Sequence, residues 1–79
     1  MAQNKKDMQD KTYLEYVDPT KNISKFWEII LEEKKLSFFY GRIGTKGVVK
    51  QNKFSSYESA IKKAEKAIAS KIKKGYQKG

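Results

Sequence analysis

Cysteine and histidine are both missing from this 79-residue sequence. Their absence excludes disulfide bonds, cysteine or histidine zinc sites, thiol nucleophiles and imidazole bases. No apolar run approaches the roughly 20 residues of a membrane-spanning helix, and the N-terminus, Met-Ala-Gln-Asn-Lys-Lys-Asp, has no hydrophobic segment typical of secretion signals. We therefore expect a cytoplasmic domain that is not an enzyme, with no cofactor, no metal and no membrane partner.

Acidic residues are scarce in the second part of the chain. Eighteen Lys and Arg against nine Asp and Glu give a formal net charge of +9. Residues 1–33 carry a net charge of −2, whereas residues 34–79, with Glu58 and Glu65 as their only acids, carry +11. Such asymmetry indicates a polyanionic partner, most often nucleic acid. The alternative is a lysine-rich surface that only keeps a small domain soluble.

Four segments have the composition of short β-strands, with aromatic and β-branched residues bounded by turn signals: residues 12–17, 25–31, 36–43 and 48–54. Strand alternation places Trp27, Ile29 and Leu31 on one face of the second strand. A helix there is compatible with the composition, but a charged loop separates this short run from the next aromatic run. A hairpin is therefore favoured.

One helix is predicted over residues 57–74, where six apolar residues recur at helical spacing: Ala60, Ile61, Ala64, Ala67, Ile68 and Ile72. Ser55 and Glu58 have the spacing of a capping box, and Gly75 follows a lysine-rich last turn. Six lysines (62, 63, 66, 71, 73 and 74) are expected on the helix surface away from this stripe. They are either a footprint for phosphates or ordinary solvated helix formers.

These elements predict an α+β fold, with a small antiparallel sheet of four to five strands and one long C-terminal helix packed on one face. Residues 1–10 are expected to be a disordered N-terminal arm, and residues 11–79 the folded domain. Tyr76 is expected to pack back on the sheet. The aromatic residues expected in the core are Phe26, Trp27, Phe38, Phe39 and Phe54.

Tyr40 and Arg42 are the strongest candidates for binding chemistry. They are two residues apart on a predicted strand, so their side chains leave the same face roughly 6–7 Å apart. A tyrosine can stack on a base or sugar, and an arginine can donate two hydrogen bonds to phosphate. Gly41 permits close approach of the backbone, and Lys46 and Lys50 lie beyond. Alternatively, Tyr40 is a half-buried sheet aromatic and Arg42 an ordinary surface charge.

Four ordered motifs within residues 12–77 resemble the WGR domain, which is named for a Trp-Gly-Arg tripeptide. They are Ser-Lys-Phe-Trp-Glu-Ile at 24–29, Tyr-Gly-Arg-Ile-Gly-Thr-Lys-Gly at 40–47, Phe-Ser-Ser at 54–56, and Ala-Glu-Lys at 64–66 followed by Lys-Ile-Lys-Lys-Gly-Tyr at 71–76. The chain is most similar to the bacterial stand-alone type, and also resembles the domain of poly(ADP-ribose) polymerases and molybdate-regulator-like proteins.

The resemblance implies a sheet with one packed helix and DNA binding. In the polymerases the tryptophan packs against the end nucleotide at a strand break, and the arginine lies near the 5′-terminal phosphate. Carried over, Tyr40 stands at the tryptophan, Arg42 at the arginine, Ser24 at a small polar phosphate contact and Lys50 at a basic position of the returning strand. Tyr40 departs from the family pattern, with a smaller stacking surface and an added hydroxyl. The resemblance carries over no ADP-ribosylation activity.

We therefore expect a monomeric, non-catalytic DNA-binding module that recognises DNA ends or nicks, in a DNA-repair setting. Its expected contacts are Ser24, Tyr40, Gly41, Arg42, Lys46 and Lys50. Two alternatives remain open. The same sheet face could dock on an acidic partner protein or a DNA-repair enzyme, which makes the chain an adaptor, or the ligand could be RNA.

Overall fold

The computed structural model describes residues 9–78 of the chain. Within that range, a short 3-10 helix (Pro19–Lys21) separates the first two strands of a single sheet. The other elements, in chain order, are β1 (Gln9–Asp18), β2 (Ile23–Glu32), β3 (Lys35–Arg42), β4 (Val48–Lys53), α1 (Tyr57–Lys73) and β5 (Gln77–Lys78). The strands lie in the order β4-β3-β2-β1-β5, and every neighbouring pair is antiparallel. The α+β prediction is confirmed.

The first strand begins earlier than the sequence pattern predicts. Gln9 and Asp10 pair with Glu32 and Leu31 of β2, because β2 is long enough to offer them ladder partners. These two residues are the part of the expected N-terminal arm, residues 1–10, that the structure describes. The rest of that arm lies outside the described residues.

The hairpin of β2 and β3 is confirmed, with a turn tighter than the charged loop suggests. Glu32 and Lys35 are directly paired, which leaves a two-residue turn. Glu33 in that turn has a φ of 53°, in the left-handed region that favours glycine. Because the strands pair up to this turn, residues 25–42 form one continuous antiparallel ribbon.

The hydrophobic core lies between α1 and one face of the sheet. As predicted, Trp27, Ile29 and Leu31 share this face and are 4%, 2% and 6% exposed. Ala60 and Ala64 of α1 are buried against it, because their small side chains let the helix lie close to the strands. The predicted apolar stripe is wrong at its C-terminal end, because Ile72 is 50% exposed.

No helix within residues 9–78 covers the opposite face of the sheet, although three aromatic residues lie on it: Tyr13, Phe26 and Phe39. Phe26 alternates with Trp27, is buried, and stacks on Tyr13 with ring centroids 6.2 Å apart. Phe39 alternates with the core residue Phe38, is half-buried, and stands outside the core, so its predicted place there is wrong. Phe54 packs against the core at partial exposure.

The two ends of α1 are closed by different devices. At the start, Ser59 donates its N–H to the Ser56 hydroxyl at 3.1 Å, so the cap is Ser56 and the predicted pair of Ser55 with Glu58 is wrong. At the end, Gly75 has a φ of 113°, and the N–H of Tyr76 donates to the Lys71 carbonyl at 3.1 Å. This is a Schellman motif, which turns the chain back toward β1.

Candidate nucleic-acid interface

A pocket of about 600 Å³ opens where the C-terminal end of α1 meets β2 and β3. Its lining comes from residues 22–26 at the start of β2, residues 40–42 at the end of β3, and Lys71 and Tyr76. These segments are far apart in the chain, and the antiparallel pairing of β2 with β3 brings the first two together. The Schellman turn at the end of α1 brings Tyr76 to the same place.

The strand register places Tyr40 and Arg42 on the same face of the sheet. Tyr40 pairs with Trp27 and Arg42 pairs with Lys25, so both side chains belong to the face on which α1 lies. Tyr40 is half-buried and packs against the core, whereas Arg42 is exposed. The Tyr40 side chain therefore packs on the core at one side and lines the pocket at the other, and the core beneath it holds it in place.

Tyr76 closes the far side of the pocket. Its ring lies 5.5 Å from the ring of Tyr16 on β1, and it packs against the core, as expected from the sequence. The following residues, Gln77 and Lys78, pair with Glu15 and Leu14. This last strand therefore holds the aromatic wall against the sheet.

Lys71 is the helix residue that enters the pocket. Its Nζ atom lies 5.9 Å from the centroid of the Trp27 ring and 5.2 Å from that of Tyr76, within the range of cation–π attraction. Burial lowers the pKa of the Lys71 ammonium, and repulsion from Lys74 and Lys25 lowers it further. The predicted place of Lys71 on the surface away from the apolar stripe is wrong.

The described lining of the pocket carries positive charge and no acidic side chain. The described residues that line it include the cations Lys25, Arg42 and Lys71, and none is Asp or Glu. Within residues 9–78 the ion pairs join Lys11 to Glu28 at 3.3 Å and Lys35 to Glu32 at 4.0 Å, outside this pocket. An anion that enters therefore meets cations that are not already neutralised.

Gly41 lines the pocket, but its missing side chain has a structural explanation. A Cβ atom there would lie 2.8 Å from the Cα atom of Gly47, closer than real Cβ contacts. Gly47, at a φ of 73°, lies in turn against the carbonyl of Tyr40 and the Phe26 ring. The missing side chain of Gly41 therefore lets the backbone of Gly47 lie close to it. This contact fixes the turn that follows Arg42.

The structure brings together four of the predicted contacts and leaves two outside. Ser24, Tyr40, Gly41 and Arg42 line the pocket. Alternation directs the Ser24 side chain to the face opposite that of Lys25, so Ser24 belongs to the rim. Lys46, in the β3–β4 turn, and Lys50, which pairs with Phe38, are exposed and outside the pocket.

The sequence prediction does not include Lys25 and Tyr76 among the contacts, and it names Lys71 only as one of six helix lysines that could form a phosphate footprint. Lys71 follows Ala64 and Ala67 at helical spacing, so the apolar stripe itself points to position 71. A lysine does not count as an apolar residue of such a stripe, although its four-carbon stem can cover apolar surface. Lys25 alternates in register with Trp27, which places it on the helix face.

Neither a metal centre nor a membrane span emerges from the described residues. In residues 9–78, no three Asp, Glu, His or Cys side chains cluster in a way that could hold a metal ion. The helix in that range is too short and too polar to cross a membrane.

Comparison with known proteins places this geometry in a family. The sequence model of the WGR domain matches residues 10–79. The chain is 43% identical over 54 residues to the uncharacterized protein YfeS of Escherichia coli K12, an alignment that covers 68% of this chain and 22% of YfeS. A crystal structure of a Bacteroides fragilis protein superposes with a TM-score of 0.83 and 36% identity, over 89% of this chain and 19% of that one.

The chain thus spans about a fifth of the length of these two bacterial relatives. The WGR domain is known as a nucleic-acid-binding module. The family match runs from the second residue of β1 to the end of the chain and includes every segment that lines the pocket. The chain belongs to the WGR domain family.

Proposed function

We propose that this chain is a non-catalytic module that binds the end of a DNA strand, at a break or nick, in the pocket beside the C-terminal end of α1. The observation that carries the proposal is the pocket's composition: aromatic walls, three cations and no acidic residue in its described lining. Such a site suits a ligand that combines a flat ring with a phosphate. In this proposal the domain acts as a monomer, in the cytoplasm, in DNA repair.

Each wall has a separate role. Tyr40 stacks on the terminal base or sugar, and the core beneath it limits the conformational entropy that is lost on binding. Arg42 donates two hydrogen bonds to the terminal phosphate, with Ser24 and the Gly41 backbone at the rim. Lys25 and Lys71 add charge on the helix side.

Beyond the pocket, the positive surface continues along the neighbouring strand. Lys46 and Lys50 are exposed on the β3–β4 turn and on β4. In this proposal they attract the phosphates next to the strand end. Each phosphate neutralised makes the slope of log affinity against log salt about 0.9 more negative.

The test is fluorescence anisotropy with labelled duplexes that differ only in a 5′ phosphate, each at two salt concentrations. We expect tighter binding of the phosphorylated end. We expect Arg42→Gln to weaken it by about 1.5–3 kcal/mol, the range of a charge-assisted hydrogen bond. Lys62→Gln, on the exposed face of α1, is the matched control because it removes the same charge outside the pocket.

Three results would contradict the proposal. Equal affinity for phosphorylated ends, hydroxyl ends and closed circles would remove end recognition. Equal losses in Arg42→Gln and Lys62→Gln would leave only a diffuse charge effect. Stronger competition by single-stranded RNA than by duplex DNA would assign the pocket to RNA.

A further inference from the structure

The strand β4 forms an edge of the sheet that the other described residues, 9–47 and 54–78, leave uncovered. All six of its residues are exposed, and it contributes none to the hydrophobic core. Among the described residues it pairs only with β3, and α1 packs on β2 and β3. Val48 and Val49 are 51% and 53% exposed. An open strand with exposed valines is a template for another strand.

The ladder shows which backbone groups point outward. Phe54 donates its N–H to the Lys34 carbonyl at 2.8 Å, which sets the phase of the β3–β4 pairing. Every second residue of an antiparallel strand bonds its neighbour, so Lys50 and Asn52 turn their backbone groups toward β3. Val49, Gln51 and Lys53 therefore direct N–H and C=O groups to the open edge.

The chain segment that contains this edge carries charge of one sign. Residues 34–57 contain six Lys and Arg and no Asp or Glu. Lys35 and Lys53 are directly paired across β3 and β4, and like charges at such positions repel. A carboxylate placed beside β4 would relieve this repulsion.

Charge also discriminates between partners. Two β4 strands from separate copies would bring Lys50 and Lys53 of one copy against the lysines of the other, which opposes self-pairing. An acidic strand meets no such barrier. Nucleic acid is attracted by the lysines as well, but it does not pair with the outward N–H and C=O groups.

We propose that β4 is a docking edge for an extended, acidic peptide segment, which adds to the sheet as a sixth strand. Alternate side chains of that segment carry carboxylates on the face of Lys50 and apolar groups on the face of Val49, or carboxylates on the face of Lys53 and apolar groups on the face of Val48. This site goes beyond the proposed DNA contact, since it lies outside the pocket, shares only Lys50 with that contact and uses a different recognition chemistry.

The experiment uses a fluorescent ten-residue peptide of alternating Glu and Val. The control peptide has the same sequence with an N-methyl group on every residue, which keeps the charge and removes the N–H donors of both edges. We expect the unmethylated peptide to bind roughly tenfold more tightly, since several inter-strand hydrogen bonds are lost in the control. Equal affinities would show charge attraction alone and would overturn the proposal.

A pair of protein variants tests the edge itself. Gln51→Pro removes one outward N–H without removing a backbone hydrogen bond to β3. Gln51→Ala is the matched control, because both variants lose the side-chain hydrogen bond from Gln51 to Ser37. We expect Gln51→Pro to bind the peptide several-fold more weakly than Gln51→Ala. Equal binding by these two folded variants contradicts the proposal. If circular dichroism shows that Gln51→Pro is unfolded, the methylated peptide decides.

Two further readouts separate this proposal from the others. Arg42→Gln is expected to weaken the binding of phosphorylated DNA and to leave peptide binding within about twofold, so either proposal can fail alone. Sedimentation measures self-association. A dimer that Gln51→Pro dissociates would assign the edge to a second copy and overturn the proposed acidic partner.

Discussion

The Nζ atom of Lys71 lies 5.9 Å from the centroid of the Trp27 ring, although 43 positions separate the two residues in the chain. Trp27 is nearly fully buried, so the last turn of α1 holds a cation directly above the edge of the core. The ammonium is partly desolvated there and repelled by Lys74 and Lys25. The positive charge of Lys71 therefore lowers the stability of the free protein. The same charge contributes favourably to the free energy of anion binding.

Replacing Lys71 by methionine is expected to separate stability from binding. Methionine keeps the apolar stem, while desolvation of a charge and repulsion from Lys74 are removed, so we expect an unchanged or higher Tm. Affinity for 5′-phosphorylated DNA is expected to fall by about 1–2 kcal/mol. Thermal unfolding and anisotropy measure the two effects. A lower Tm with unchanged affinity would show that Lys71 is only a packing residue.

The lowered pKa of Lys71 gives binding a pH dependence. Its ammonium loses a proton in the free folded protein at a pH below the ordinary 10.5. A bound phosphate favours the charged form, so affinity should decline as pH rises toward 10.5, and Lys71→Arg should remove this part of the decline.

The effect of pH on the stability of the fold has the opposite sign. The unfolded chain holds this proton more tightly, so this group makes the fold more stable as pH rises between the folded pKa and 10.5. Anisotropy and denaturant titrations from pH 7 to 10.5 measure both, and identical pH profiles for the two proteins would contradict the prediction.

Tyr40 is expected to contribute through the area of its ring. Tyr40→Trp enlarges the stacking surface and is expected to strengthen the binding of DNA ends, whereas Tyr40→Leu is expected to lose about 1–3 kcal/mol. Leucine keeps an apolar side chain against the core, which limits the loss of stability. Equal affinities of the tyrosine and leucine proteins would exclude stacking by this residue.

The contact between Gly41 and Gly47 is expected to be sensitive to a single methyl group. Gly41→Ala places a Cβ atom 2.8 Å from Gly47 Cα, and its free energy of unfolding should fall by about 1–3 kcal/mol. Gly44→Ala is the matched control, because Gly44 also has a positive φ but has no neighbour within 4 Å. Similar losses in the two variants, measured by urea denaturation, would show that backbone strain alone is responsible.

The β2–β3 turn offers a stabilising substitution. Glu33 holds a left-handed conformation that costs most residues about 1 kcal/mol and glycine almost nothing. Glu33→Gly is therefore expected to raise the free energy of unfolding by roughly 0.5–1 kcal/mol, measured by urea denaturation. Glu33→Ala serves as the control for loss of the carboxylate. A gain of the same size in both would assign the effect to charge.

The sequence predicts the strands and the helix well, because alternation and helical spacing depend on local residue order. It misses Gln9, Asp10 and Lys11 at the start of β1, since strand pairing with distant residues decides where a ladder stops. Ser56 replaces Ser55 as the helix cap for a similar reason. Where two serines are adjacent, the path of the incoming chain decides which side chain reaches the N–H groups.

Residue order alone predicts only part of the candidate site. Tyr40 and Arg42 share a face because they are two apart on a strand, a relationship that alternation alone provides. Lys71 and Tyr76 join them through a turn that depends on the left-handed Gly75 and on packing against Tyr16. No periodicity within either segment reveals that this helix end lies beside that strand end.

The short β5 strand has a consequence for how the pocket opens. Two residue pairs attach Gln77 and Lys78 to β1, far fewer than the ten pairs that join β1 to β2. Detachment of this tail therefore requires much less free energy than global unfolding, and it releases the Tyr76 wall first. Hydrogen exchange at these amides should slow when a ligand fills the cavity, so occupancy of the pocket is reported by the amides of β5.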